Sequence, residues 1–155
     1  MLTASPAYGD GGLLRLNQTA GPFEISVFTA PTPLRAGTAD VSVMVLSRPD
    51  RAPVLDAQVR LTLRSAEREL TAEATRAAAT NKILYAAALD FPAPGAWALA
   101  VHVASPAGEA GVSCAVDVAP PRPPLAIFWP FLLLPAAAVV LFAVHQWLKP
   151  SPSRT

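Results

Sequence analysis

Charge is scarce in this chain. Only 15% of its 155 residues are Asp, Glu, Lys or Arg, against roughly 25% in ordinary soluble proteins. Twelve basic and eleven acidic side chains leave a net charge of +1. No basic surplus exists to neutralise phosphates, so nucleic acid is not expected as a partner. The lone cysteine, Cys114, excludes an intrachain disulfide framework and any multi-cysteine metal site. Two histidines and two methionines leave few imidazole or soft ligands for a metal. There is no G-x-G-x-x-G, P-loop, H-E-x-x-H, C-x-x-C or G-x-S-x-G pattern. Gly9-Asp10-Gly11-Gly12 is glycine-rich, but no helix is expected after it to present amides to a phosphate. The chain therefore reads as non-enzymatic, with no cofactor, no metal and no small-molecule substrate.

Apolar residues and proline are plentiful. Hydrophobic residues make up 52% of the chain and proline appears 17 times; the mean hydropathy is +0.38. Frequent proline favours short strands over a helical bundle. From residue 9 to 118 the apolar residues alternate, as in half-buried strands. The runs are Leu14/Leu16, Phe23/Ile25/Val27, Val41/Val43/Val45, Val59/Leu61/Leu63, Trp97/Leu99/Val101/Val103 and Val112/Cys114/Val116/Val118. Between them lie turn-forming stretches such as Ala30-Pro31-Thr32-Pro33, Arg48-Pro49-Asp50 and Pro92-Ala93-Pro94-Gly95. Short strands at this spacing predict an all-β sandwich over 9–118. Residues 66–79 fit either a thin helical stripe or a hairpin arm with Leu70, Ala72 and Ala74 on one face; the turn chemistry of residues 64–67 favours the arm.

From Leu125 to Val144 no side chain is charged. Twenty such residues on a helix span roughly 30 Å, the thickness of a bilayer's hydrocarbon core. The reading is a C-terminal transmembrane helix over 125–148, with Trp129, Trp147 and Lys149 at the membrane interfaces. Lys149 and Arg154 follow it, whereas only Arg122 lies close before it. That balance predicts a single-pass protein of the bacterial inner membrane, its N-terminal domain outside and residues 149–155 a cytoplasmic tail. Residues 1–8 read as an N-terminal extension, in the manner of a signal-peptide remnant. Four prolines within 119–124 read as a stiff spacer. The lipid bilayer and an integral membrane complex are then the expected partners.

Two groups of small residues are candidate partner contacts. Ala136, Ala137, Ala138 and Ala143 form a smooth patch for close helix packing. Ala98, Ala100 and His102, with Ala104, form an outward strand face that is unusually small and neutral. That face fits a docking surface, or a face covered by another part of the chain. Lys82 and Tyr85 fit a partner-near rim or an ordinary strand entry. Copper ligation would have to draw on His102, Met44 and Cys114, which stand singly on separate strands.

Residues 28–63, with Ala52-Pro53-Val54-Leu55-Asp56-Ala57-Gln58-Val59, resemble the opening of the YtkA-like and FixH-like families. Residues 91–103, FPAPGAWALAVHV, resemble the families' closing Pro-Gly-x-Trp strand. The resemblance covers about 90 residues and rests on short motifs. It implies an immunoglobulin-like fold outside the cytoplasm, and FixH-like proteins are associated with respiratory oxidase assembly. The chain departs from the FixH pattern in placing its apolar segment at the C-terminus. The function implied is a non-catalytic accessory or assembly subunit of a larger membrane complex, of a respiratory or photosynthetic electron-transfer kind. The alternatives are a periplasmic copper carrier and a free-standing adhesion or sensor module.

Overall fold

The computed structural model describes residues 12–122 and 124–148. Among the described residues, eight strands precede one helix. They are β1 (Leu13–Ala20), β2 (Phe23–Ala30), β3 (Gly37–Ser47), β4 (Gln58–Arg64), β5 (Glu69–Ala74), β6 (Leu84–Phe91), β7 (Gly95–Ser105) and β8 (Gly108–Val118). The helix is α1 (Pro124–Leu148). Two units are distinguishable, residues 1–121 and 122–155.

The strands form two antiparallel sheets, ordered β1-β2-β3-β6 and β5-β4-β7-β8. The chain crosses between sheets after β3, β5 and β6. In this arrangement β2-β3-β6 take the places of strands A-B-E and β5-β4-β7-β8 those of C′-C-F-G in an immunoglobulin-like sandwich. β1 is an added edge strand. The expected all-β sandwich is thus present, with its Greek-key crossings.

Period-2 alternation builds the core. Phe23, Ile25 and Val27 of β2 and Val41, Val43 and Val45 of β3 point inward, opposite Val59, Leu61 and Leu63 of β4 and Leu99, Val101 and Val103 of β7. Trp97 is only 5% exposed. Its indole Nε1 donates to the Ala93 carbonyl at 3.0 Å, and its ring meets Phe91 edge-on at 6.3 Å and 83°. β6 fills a place the alternation reading left open: Tyr85, Ala87, Leu89 and Phe91 all face the core. Residues 66–79 resolve into the hairpin arm, with β5 paired to β4 and the turn closed by Ser65 N–H donating to the Arg68 carbonyl at 2.8 Å. Leu14 and Leu16 do not share a face. A register shift lies between them, so Leu16 packs toward the core while Leu14 stays exposed. The same shift lets Arg15 Nε donate to Oγ1 of the fully buried Thr29 at 2.7 Å.

Lys82 is bound up in a loop rather than free at a rim. Its ammonium donates to the carbonyls of Arg76, Ala77 and Ala79 at 3.3, 3.1 and 2.7 Å, closing the turn between β5 and β6. Arg76 ties the same loop to the β3–β4 connection by donating to the Leu55 carbonyl at 2.9 Å. Methionine at position 82 keeps the stem and deletes the donors. Lys82→Met is expected to cost about 1 kcal/mol. Hydrogen exchange at the amides of residues 77–80 is expected to quicken while exchange in β3 and β7 keeps its rank. Unchanged loop protection would show that the three carbonyl contacts contribute nothing.

At the far end of the sandwich, the chain leaves along a short parallel bridge between Arg35 and Ala119. Ala119 N–H donates to the Leu34 carbonyl, Ala36 N–H donates to the Ala119 carbonyl, and Arg35 Nη1 donates to the Pro120 carbonyl at 2.8 Å. The first two residues of the proline-rich stretch are therefore attached to the domain.

α1 is 25 residues long. Its side chains are described at residues 128, 131, 133, 135 and 137–148, and those of Phe128, Phe131, Val139, Val140, Leu141, Phe142 and Leu148 are exposed. Among the described residues, no helix is long and apolar enough to cross a membrane. Crossing needs about 20 consecutive apolar residues. This finding overturns the transmembrane helix expected over 125–148, and with it the single-pass inner-membrane location with a cytoplasmic C-terminus. Trp147 is 95% exposed. The side chain of Trp129, Lys149, the extension at 1–8 and the tail at 149–155 fall outside the described residues.

Candidate functional site

Each sheet turns one face inward and leaves the other open, and the two open faces differ in chemistry. On β5-β4-β7-β8 the cross-strand register sets out rows of neighbours. One row is Glu73-Arg60-His102-Gly111, the next Thr71-Thr62-Ala100-Ser113, the next Glu69-Arg64-Ala98-Ala115. The centre of this face is small and uncharged, and its flanks are charged. Ala98 and His102 are exposed, and Ala100 and Ala104 are half-buried. The sequence-derived group Ala98, Ala100 and His102 is thus brought together on one outward face, and Ala98 and His102 are exposed there.

His102 stands between two shallow hollows. One, of about 640 Å³, is lined by Arg60, Glu73, Arg76, Tyr85 and Glu109 among others. The second, of about 550 Å³, is lined by Thr62, Ala100, Gly111, Ser113 and Gln18. His102 Nε2 lies 3.8 Å from a Glu109 carboxylate oxygen. Arg64 donates to both carboxylate oxygens of Glu69 at 2.9 and 3.1 Å, which holds its guanidinium protonated above its ordinary range. Arg60 makes no ion pair among the described residues.

The open face of β1-β2-β3-β6 carries larger apolar groups. Leu14 lies directly across from Phe28, and Met44 across from Leu84. Leu14 is 48% exposed, and Phe28, Met44, Leu84 and Ala86 are half-buried. Ile83, just before β6, is exposed as well. Asp40 and Asp90 edge this patch. The sequence reading passed over it, although Met44 and Phe28 were legible as outward positions of alternating strands.

The candidate copper ligands do not converge. Met44 is on the outer face of one sheet and His102 on the outer face of the other. Cys114 pairs with the buried Leu99 and packs against the core, and burial pushes its thiol pKa up. Among the described residues no three His, Cys, Asp or Glu side chains are grouped to hold a metal ion. Of the helix group, Ala137, Ala138 and Ala143 are exposed on α1, and the side chain of Ala136 falls outside the described residues. Tyr85 is buried: its hydroxyl accepts from Ala57 N–H at 3.0 Å and donates to the Val54 carbonyl at 2.9 Å.

Fold and surface together define an immunoglobulin-like β-sandwich with two open sheet faces of contrasting character. No family model matches the chain, and no curated protein matches it. It is similar to a solved structure described as the solution structure of the PKD domain from human VPS10 domain-containing receptor SorCS2, at 13% identity and a TM-score of 0.36, over 79% of this chain and 98% of that one. Strand order and register carry the immunoglobulin-like fold.

Proposed function

We propose that this protein is a non-catalytic accessory or assembly subunit that docks a larger protein complex through the apolar outer face of β1-β2-β3-β6. The observation that carries this reading is the Leu14–Phe28–Met44–Leu84 patch. Outward strand positions are ordinarily polar. Leu, Phe and Met side chains gathered on an open sheet face lose contact with water only when another surface covers them. Aromatic and Met residues are also enriched at the centres of protein interfaces. The resemblance of residues 28–63 and 91–103 to YtkA-like and FixH-like proteins makes an electron-transfer complex the first candidate host.

Lysine at an interface centre is strongly unfavourable, because its charge loses water without gaining a partner. Leu14→Lys and Phe28→Lys in the tagged full-length chain are therefore expected to reduce co-purifying host protein at least tenfold. Thermal unfolding of each variant separates loss of binding from loss of fold, and Leu14, on an edge strand, is the safer substitution. A folded Leu14→Lys protein that retains the parental partners in full would overturn this reading.

A further inference from the structure

The second open face has an order of its own. On β5-β4-β7-β8 the charges run in columns along the strands. β4 presents Arg60 and Arg64, β8 presents Glu109 and Asp117, and β7 between them presents Ala98, Ala100, His102 and Ala104. We propose that this face binds a second copy of the chain, face to face, about a two-fold axis running along β7.

Charge complementarity singles out that axis. Rotation about β7 lays β4 of one copy over β8 of the other at the same height along the strand. Arg60 then sits above Gly111, within one side-chain length of Glu109, and Arg64 sits above Ala115, beside Asp117. Each contact occurs twice, as an isologous interface requires. An axis running across the strands through Ala100 would instead set Arg60 against Arg64 and Glu73 against Glu69, like on like. An axis between β4 and β7 would bring Glu73 to the Glu109 column. Along the β7 axis itself only Ala98, Ala100, His102 and Ala104 meet, and their small size lets the two sheets approach closely. Arg60, which has no ion pair within its own copy among the described residues, gains one.

Size sets the strength. Three overlapping strands spaced about 4.8 Å apart, each contributing about 27 Å of length, give a footprint on the order of 400 Å² per copy. Standard stable interfaces bury about 800 Å² per partner. The pairing is accordingly weak and reversible. This inference uses a different face from the docking patch and stands independently of it.

The test is short-range cross-linking in the purified full-length chain, with Cys114→Ser as background and a short bismaleimide as probe. Ala100→Cys, on the axis, is expected to cross-link to its own copy at least tenfold faster than Thr71→Cys. Thr71 lies two strands from the axis, so the two copies of that residue stand about 20 Å apart. Arg60→Glu or Glu109→Arg alone is expected to abolish the Ala100→Cys cross-link, and the two together to restore it. The Leu14→Lys variant is expected to leave it unchanged. Equal rates at Ala100 and Thr71, or cross-linking at Ala100 indifferent to the charge reversals, would overturn the proposal, as would no cross-link at all in a folded protein.

Discussion

Replacing Trp97 with alanine is expected to destabilise the sandwich by about 3–5 kcal/mol. For a domain of this size that lowers the melting temperature by roughly 15–25 °C. Trp97 is the third residue of β7, the strand that pairs with both β4 and β8, and is 5% exposed. Truncation empties the largest single volume at this end of the core and deletes the edge-on contact with Phe91. It also leaves the Ala93 carbonyl, in the turn that feeds β7, without the indole donor. Because most small domains hold only about 5–15 kcal/mol in total, a loss of this size is readily visible in thermal or urea unfolding. A melting temperature like the parent's would mean that the ring contributes no packing, and the assignment of β7 to the core would fail.

The second large effect belongs to Tyr85→Phe. The substitution keeps the buried ring and removes one oxygen. That oxygen serves two backbone groups of the β3–β4 connection, accepting from Ala57 N–H and donating to the Val54 carbonyl. A part-buried N–H left without an acceptor costs about 1–3 kcal/mol. The expected result is a urea midpoint lowered in proportion with an unchanged slope, and faster amide exchange at Ala57. A stability equal to the parent's would show that water takes over both partners and that the connection is not held by this tie.

Most of the fold could be read along the chain. The inward sets of β2, β3, β4 and β7 follow directly from alternation, because successive strand side chains point to opposite faces. The hairpin arm at β5 was legible from the turn chemistry at 64–67. β6 was less so. Its sequence, LYAAALDF, is rich in alanine, and alanine marks neither face of a strand strongly. β1 misled in detail: alternation placed Leu14 and Leu16 together, and a register shift turned Leu14 outward. The transmembrane reading came from an apolar run alone, and among the described residues no helix is long and apolar enough to cross a membrane.

The candidate surfaces divide the same way. The small outward set Ala98, Ala100 and His102 belongs to one strand, so period 2 alone placed its members on one face. One charged flank comes from β8, which follows β7 through a tight turn, but the other comes from β4, far from β7 in the chain, and only sheet pairing makes it a neighbour. The apolar patch likewise joins Leu14, Phe28, Met44 and Leu84 from four strands. Sequence by itself determined what depends on neighbours along the chain: the strands, their buried faces, the turns that separate them and the scarcity of metal ligands. Tertiary structure decided strand order, register and therefore which surfaces exist, because cross-strand adjacency is set by long-range pairing that no local period encodes.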